Sequence, residues 1–339
     1  MKKLFPKTNM FEEAKRQSKG HFVIVEILLF LLVLLVAEIV SSLPILAVEL
    51  VDMTSNPEIL DIVSKFNAGE ITMDEYTAEM AAFQTNGIYL VIQLFCTGIT
   101  TLMIFVYCRF IEKRRLSTMG FRKKTFLPEY LVGMVIGTVM FSLAVGICLI
   151  FGALNFEGAV QNIKWGIIGL YFVGFLLQGM SEEVTFRGYF MVSLSRRSHM
   201  AVAVALSSIA FGCAHLGNSN VTVLAVVNIC FFGLFEALYI LKRGNIWGVC
   251  GIHSLWNFVQ GNFYGISVSG VIDPDSIIKM TPVYSKSLMN GGDFGLEGGL
   301  AVTIVLVISI IAITLTKTKA SEIFDEESAP IIEPAITEE

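Results

Sequence analysis

Long apolar segments dominate this sequence and limit the folds that it can adopt. Eight stretches approach the length of about 20 mostly apolar residues that a helix needs to cross a bilayer. They lie at about 22–48, 87–108, 128–152, 165–190, 200–217, 221–241, 245–265 and 298–316. Hydrophobic residues make up 54% of the chain and charged residues only 16%. The sequence therefore predicts an all-α integral membrane protein, a polytopic bundle of about eight transmembrane helices.

Lysines and arginines near the ends of these stretches indicate the orientation in the membrane, because they favour the cytoplasmic side. One basic group precedes the first stretch, and another separates the second from the third. Further pairs follow at Arg196 and Arg197 and at Lys242 and Arg243, whereas the segment 51–86 is rich in acids. Eight spans with this pattern place both termini in the cytoplasm.

The composition divides the chain into four regions. We interpret residues 1–21 as a cytoplasmic N-terminal segment and residues 22–127 as the first two membrane helices with an acidic external loop. Residues 128–316 form the core of the bundle, and residues 317–339 form an acidic cytoplasmic tail. We interpret the glycine-rich stretch 290–299 as a connector before the last span.

Two carboxylates and one guanidinium lie inside the fourth apolar stretch, at Glu182, Glu183 and Arg187. A charge near the bilayer centre costs roughly 2.5–3.5 kcal/mol on insertion scales, so such residues usually have a function and a nearby partner. Glu183 and Arg187 are four residues apart, share one helix face and can form an ion pair. Glu182 lies about 100° away around the helix. It is therefore the candidate general base.

Two of the four histidines lie within predicted spans. Glu182 and His215 are both about 16 positions, or roughly 25 Å of helix, from a turn near residue 198. We therefore expect them side by side. His253 and Asn257 are four residues apart and project from one face of the seventh span. His253 needs a tilt, a kink or a re-entrant start to reach the same depth, and the glycines around it permit such an irregularity.

Three motifs occur in order on separate predicted spans: E-E-x-x-x-R at 182–187, F-x-x-x-H at 211–215 and H-x-x-x-N at 253–257. Together they resemble the signature of the CAAX prenyl protease and bacteriocin-processing family of intramembrane endopeptidases, also called the Abi family. The resemblance covers roughly residues 165–260, and the glycine-rich stretch is a weaker match. It identifies residues 128–316 as a protease-like core.

The resemblance implies catalytic roles for four residues. Glu182 and His215 would activate the attacking water, and His253 and Asn257 would stabilise the oxyanion. Peptide hydrolysis needs a base for the water, preorganised donors for the oxyanion and a proton for the leaving amine, and these side chains can supply them. The expected activity is that of a CAAX protease-like hydrolase, which cleaves membrane-associated or lipidated peptides and proteins with Glu/His-activated water.

The resemblance gives the other motif residues supporting roles. Glu183 and Arg187 would support and orient the catalytic groups. Phe211 lies one helical turn from His215. We expect it to pack against that histidine without a direct part in catalysis.

The motif residues are compatible with a site that binds a metal and with one that does not. Glu182, His215 and His253 could provide the three protein ligands of a catalytic zinc site. The chain has no H-E-x-x-H motif, and the same residues can act as a metal-free Glu/His pair. The resemblance is compatible with both forms. We favour the metal-free mechanism and keep zinc as the alternative.

Two other functions remain open at this point. A membrane transporter or channel could use buried acids and histidines as an ion or proton relay, although the chain shows no inverted repeats. An inactive, protease-like bacteriocin immunity protein is the other alternative, although the intact motifs argue against it. As partners we expect the lipid bilayer and a membrane-embedded or lipidated peptide or protein, and no nucleic acid. We expect the protein in the plasma membrane of a prokaryote.

Overall fold

The computed structural model describes residues 5, 8–84, 87–272 and 274–318, without the side chains of 81–84. The described chain is mostly helical, which confirms the predicted helical class. The predicted acidic tail lies outside the described residues from position 319 onward. The outermost part of the predicted N-terminal segment also lies outside them.

The helices follow the apolar pattern of the sequence. The α-helices are α1 Asn9–Gln17, α2 Val23–Ser55, α3 Pro57–Asn67, α4 Met73–Gln84, α5 Gly87–Val106, α6 Phe126–Ile150, α7 Trp165–Glu183, α8 Val192–Ser195, α9 Met200–Ala214, α10 Val223–Arg243, α11 Trp247–Phe258, α12 Ser287–Asn290 and α13 Leu300–Leu315. The π-helical segments are Tyr107–Ile111, Val184–Met191 and Val259–Phe263. The short 3-10 turns are Leu116–Met119, Lys123–Thr125, Tyr284–Lys286, Gly292–Phe294 and Leu296–Gly298.

Helical stretches that are long and apolar enough to cross a membrane number five in the described chain: Val23–Ser55, Gly87–Ile111, Lys123–Ile150, Trp165–Ser195 and Val223–Arg243. The other predicted spans correspond to the shorter helices α9, α11 and α13. Helices α9 and α13 are also apolar but have 15 and 16 residues. These stretches indicate a multi-pass membrane protein. The count of eight spans and the cytoplasmic position of both termini stay predictions.

Two connections contain more regular structure than the apolar pattern indicates. The segment 51–86, expected as a loop, contains the end of α2 together with α3 and α4. Asn56 is the N-cap of α3, and its side chain accepts a hydrogen bond from the Glu58 amide. The all-α prediction also missed a small antiparallel sheet of β1 Leu154–Ala159 and β2 Ile278–Pro282. Short strands outside the spans carry too few apolar residues to be recognised by periodicity.

The packing of the helices places α11 at the centre of the described structure. Helix α11 packs against α6 and α7, and α10 packs against α9 and α13. Helix α5 packs against α7 on one side and α2 on the other. The helix that carries His253 and Asn257 is therefore enclosed by other helices, and both side chains are buried.

Helix α6 approaches α11 closely at two glycines. A Cβ atom at Gly133 would overlap the carbonyl oxygen of Gly248, and one at Gly137 would overlap that of Ile252. Small residues four positions apart permit this kind of backbone contact between membrane helices. Ile252 directly precedes His253, so the contact fixes α11 close to the histidine.

We expect Gly137→Val to destabilise the protein, because its side chain would be forced into the backbone of α11. Overpacking typically costs about 1–3 kcal/mol, so the thermal unfolding midpoint in detergent should fall. Gly146→Val on the same helix is the matched control, since a Cβ there meets no heavy atom within 4 Å. Equal unfolding midpoints for the two variants would contradict the close contact.

Candidate active site

The charged motif lies where α7 passes into a π-helical segment. Helix α7 ends at Glu183, and the π-helical segment Val184–Met191 follows at once. Such segments are frequent at functional sites. The Glu182 side chain is 27% exposed, whereas Glu183 has no exposed surface. The two neighbouring carboxylates therefore lie in different environments.

A cavity of about 540 Å³ opens beside this motif. Residues from α2, α5, α7, α9, α10, α11 and α13 line it. The lining includes every residue that was predicted to be catalytic: Glu182, His215, His253 and Asn257. Phe211 also lines the cavity, whereas Glu183 and Arg187 do not. Glu182 and His215 thus share one space, and their side-by-side position stays a prediction.

His253 connects the cavity to the buried charges. Its Nδ1 lies 2.9 Å from Glu183 Oε1, and its Nε2 lies 3.5 Å from Glu182 Oε2. Because an ionised carboxylate only accepts hydrogen bonds, Nδ1 carries a hydrogen. Phe211 and Phe232 pack edge-on against the imidazole, with ring centroids 5.8 and 5.3 Å away. The ring is therefore fixed with Nε2 toward Glu182.

Arg187 joins α7 to α10 through two carboxylates. Its Nη1 donates to Glu183 Oε1 at 2.8 Å, which confirms the predicted pair, and its Nη2 lies 2.9 Å from Glu236 Oε2. None of the three side chains has exposed surface. The guanidinium lies 4.2 Å from the centroid of the Phe211 ring, a cation–π contact. The guanidinium is therefore shared between two buried carboxylates and the face of an aromatic ring.

Glu236 belongs to this cluster, although none of the sequence motifs includes it. It lies within α10 between Phe235 and Ala237, inside the sixth apolar stretch. Its Oε1 is 3.8 Å from His253 Nδ1. An acid inside an apolar span needs a partner, and that argument could have identified this residue from the sequence.

His215 stands at the C-terminal end of α9. Its Nδ1 is 2.8 Å from the carbonyl oxygen of Phe211. Because a carbonyl oxygen only accepts, Nδ1 donates its hydrogen there, and Nε2 of the neutral ring remains an acceptor. The Phe211 ring packs edge-on against His215 with centroids 5.0 Å apart, as expected of a packing residue. His215 can therefore accept a proton or a hydrogen bond at Nε2.

Gln178 links Asn257 to Glu182. Asn257 Nδ2 donates to Gln178 Oε1 at 2.9 Å, and Gln178 Nε2 donates to Glu182 Oε1 at 2.5 Å. Gln178 lies one turn before Glu182 on α7 and lines the cavity. It orients the carboxylate so that the second oxygen is next to His253. No sequence motif includes this glutamine. Polar side chains often form hydrogen bonds between membrane helices, so a single glutamine in an apolar stretch does not indicate a site.

The glycine-rich stretch 290–299 is more than the connector that we expected. Its Glu297 lines the cavity and accepts a hydrogen bond from Trp256 Nε1 at 3.2 Å. The other carboxylate oxygen accepts from the amide and hydroxyl of Ser269, at 2.8 and 2.7 Å. Gly295 has a φ of 96°, which glycine adopts without strain. Its missing side chain also lets the backbone at Gly295 approach the carbonyl oxygen of Ser267 closely. The stretch therefore forms part of the cavity wall.

The structure assembles a metal-compatible group that differs from the predicted set. In the described chain, one group offers ligand atoms within 4.8 Å of one another: Glu183, Glu236 and His253. These donor types suit zinc. However, Arg187 already contacts both carboxylates, and a divalent cation would add positive charge beside the guanidinium. The group fits an ion-pair network better than a metal site. Zinc bound by Glu182, His215 and His253 stays a prediction.

Helices α7 to α11 carry, or lie next to, the glutamate, histidine and asparagine residues that were predicted to be catalytic. Residues 164–259, which span these helices, match the family model described as Type II CAAX prenyl endopeptidase Rce1-like. The chain therefore contains a domain of the CAAX prenyl protease and bacteriocin-processing family, which confirms the resemblance of its motifs. Comparison with curated proteins and with solved structures gives no match.

Proposed function

We propose that this protein is an intramembrane endopeptidase that hydrolyses peptide bonds in membrane-associated or lipidated substrates. The observation that supports this most is the shared cavity, which is lined by Glu182, His215, His253 and Asn257. The match of residues 164–259 to a family of CAAX prenyl endopeptidases supports the same class of reaction. The plasma membrane of a prokaryote stays the predicted location.

Glu182 is the proposed base for the attacking water. One of its oxygens accepts from Gln178, and the other lies near His253 Nε2. The Nε2 acceptor of His215 would hold the same water, and the carboxylate would take its proton. General acid–base catalysis of this kind contributes about 10²–10⁴-fold to the rate.

His253 and Asn257 are the proposed oxyanion donors. As an imidazolium, His253 donates Nδ1–H to Glu183 and presents Nε2–H to the cavity. Asn257 keeps a second amide hydrogen after it donates to Gln178. Attack of the hydroxide on the carbonyl carbon forms a tetrahedral oxyanion that both groups stabilise. The C–N bond then breaks, Glu182 returns its proton to the amine, and one water is consumed.

Cleavage of synthetic peptides tests this function. Purified protein in detergent is incubated with prenylated, acylated and membrane-spanning peptides in water enriched in oxygen-18, and mass spectrometry identifies the products. We expect two products, with the label in the new carboxylate. If no peptide is cleaved, proton or solute flux in liposomes would support the transporter. Absence of both activities would support the inactive immunity protein.

We expect a zinc chelator to leave the cleavage rate unchanged. Arg187 already contacts both buried carboxylates, and the proposed steps use side chains alone. The rate is measured after preincubation with the chelator, and again after dialysis and addition of zinc. Loss of activity that zinc restores would establish the metal-dependent mechanism in place of this one.

A further inference from the structure

We propose that Glu38 binds a cationic side chain of the substrate, lysine or arginine, close to the scissile bond. The inference rests on the proposed endopeptidase function and adds a substrate class to it. Glu38 lies on α2, outside the residues that the family model matches. It would determine which peptides the cavity accepts, without a part in the activation of water.

Helix α2 presents one face to the cavity. Phe30, Leu34 and Glu38 are spaced four residues apart and therefore lie on the same face. Phe30 is 2% exposed and stacks on Phe190, with ring centroids 4.0 Å apart. One and two turns further along, Leu34 and Glu38 line the cavity. The Glu38 carboxylate is near enough to Glu182 to interact with it electrostatically.

Glu38 is exposed and, unlike the buried acids, has no cationic partner among the described residues. Other carboxylates each lie within 3.1 Å of an arginine nitrogen: Glu26, Glu112, Glu129, Glu183 and Glu236. Glu297 also lines the cavity, but both of its oxygens accept hydrogen bonds. An acid in an apolar span usually has a nearby partner. The partner of Glu38 is therefore expected to enter the cavity as a ligand.

The charge of the cavity wall favours a cation. Among the described residues that line it there is no lysine or arginine, and the three acids Glu38, Glu182 and Glu297 outnumber the one imidazolium, His253. Gln93 and Thr97, one turn apart on α5, add polar groups to the lining. Electrostatic attraction is stronger in a poorly hydrated space than in water. The wall therefore attracts a basic side chain and repels an acidic one.

The size of the cavity limits how far the cation can be from the reaction. Glu38 and the proposed catalytic residues line this one space. Each extended residue spans about 3.3–3.6 Å, so the basic side chain is expected within a few positions of the scissile bond.

A lysine scan of the substrate tests the inference. A peptide that the protein cleaves is resynthesised with a single lysine at successive positions around the scissile bond, each matched by a glutamine peptide. We expect a position at which lysine raises kcat/KM about tenfold or more, the range of a charge-assisted hydrogen bond. Glu38→Gln should bring the ratio of the two values close to unity. Glu38→Lys should reverse the preference, in favour of a glutamate peptide.

Glu58→Gln is the matched control variant. It makes the same chemical change on exposed α3, away from the cavity, so the lysine preference should persist. Circular dichroism and thermal unfolding show whether each variant is folded. The inference is refuted if the wild type has no lysine preference, or if the preference survives Glu38→Gln. Equal losses for lysine and glutamine peptides would also refute it, because Glu38 would then act in catalysis or folding.

Peptide binding distinguishes failure of this inference from failure of the proposed function. Fluorescence anisotropy measures the binding of labelled lysine and glutamine peptides to the wild type and to Glu38→Gln. If no peptide is cleaved but the lysine peptide binds through Glu38, the endopeptidase function fails and the cation site stands. Cleavage with no lysine preference supports the endopeptidase function and refutes the cation site at Glu38. If no peptide is cleaved and the lysine peptide binds no better than the glutamine peptide, both the endopeptidase function and the cation site are refuted.

Discussion

Glu182→Gln is expected to lower kcat for peptide cleavage by about 10²–10⁴-fold, the contribution of general acid–base catalysis. The amide has almost the size of the carboxylate but cannot accept the proton of the water. Gln178 can still hydrogen-bond to the amide oxygen, so the cavity should keep its shape. Saturation kinetics on a cleaved peptide should therefore show a loss in kcat with little change in KM.

The Glu58→Gln variant is the control for this experiment as well, since it removes one carboxylate from an exposed helix. Its kcat should equal that of the wild type. If the Glu182→Gln protein cleaves at the wild-type rate, Glu182 is not the base. If KM rises while kcat is unchanged, Glu182 binds substrate and another group activates the water.

Arg187→Met is expected to lower the free energy of unfolding by about 3–5 kcal/mol, as loss of one partner from a buried ion pair does. Without the guanidinium, Glu183 and Glu236 lose their contacts to the arginine, at 2.8 and 2.9 Å, and neither has exposed surface to gain water instead. Methionine is apolar and fills much of the same volume, so an empty cavity adds little to the effect. Thermal or denaturant unfolding in detergent measures the change.

Two further variants show whether charge is the cause. Arg109→Met removes an exposed arginine and should change the unfolding free energy by less than about 0.5 kcal/mol. Combining Arg187→Met with Glu183→Gln and Glu236→Gln should recover part of the lost stability, because the two buried carboxylates that lose the arginine are then removed as well. An unfolding midpoint of Arg187→Met equal to that of the wild type would mean that the buried network does not stabilise the protein.

The helical class could be predicted because a chain in lipid must satisfy its backbone hydrogen bonds within each segment. Helix ends were harder to predict. The fifth apolar stretch continues to Gly217, but α9 ends at Ala214, because His215 turns its side chain onto the Phe211 carbonyl. Helices α3 and α4 and the two strands could not be found, because they lie between the spans and show no membrane-length apolar pattern.

The candidate site was predictable where its residues follow helical spacing within one span. Glu183 and Arg187 are such a pair, and so are His253 and Asn257. Contacts between different helices could not be predicted in this way. Glu236 reaches Arg187 through the arrangement of α7 and α10, and no spacing along the chain encodes that arrangement. Glu38, Gln178 and Glu297 reach the cavity for the same tertiary reason.

The position of Glu182 beside the ion-pair cluster, rather than within it, has a practical consequence. Arg187 bonds to Glu183 and Glu236 and so ties α7 to α10, while Glu182 contacts a neutral glutamine and the edge of His253. We therefore expect substitution of Glu182 to abolish the proposed hydrolysis while the ion pairs that hold α7 to α10 stay intact. A Glu182→Gln protein would be a substrate trap. The peptides that it retains uncleaved from native membranes would identify its natural substrates directly.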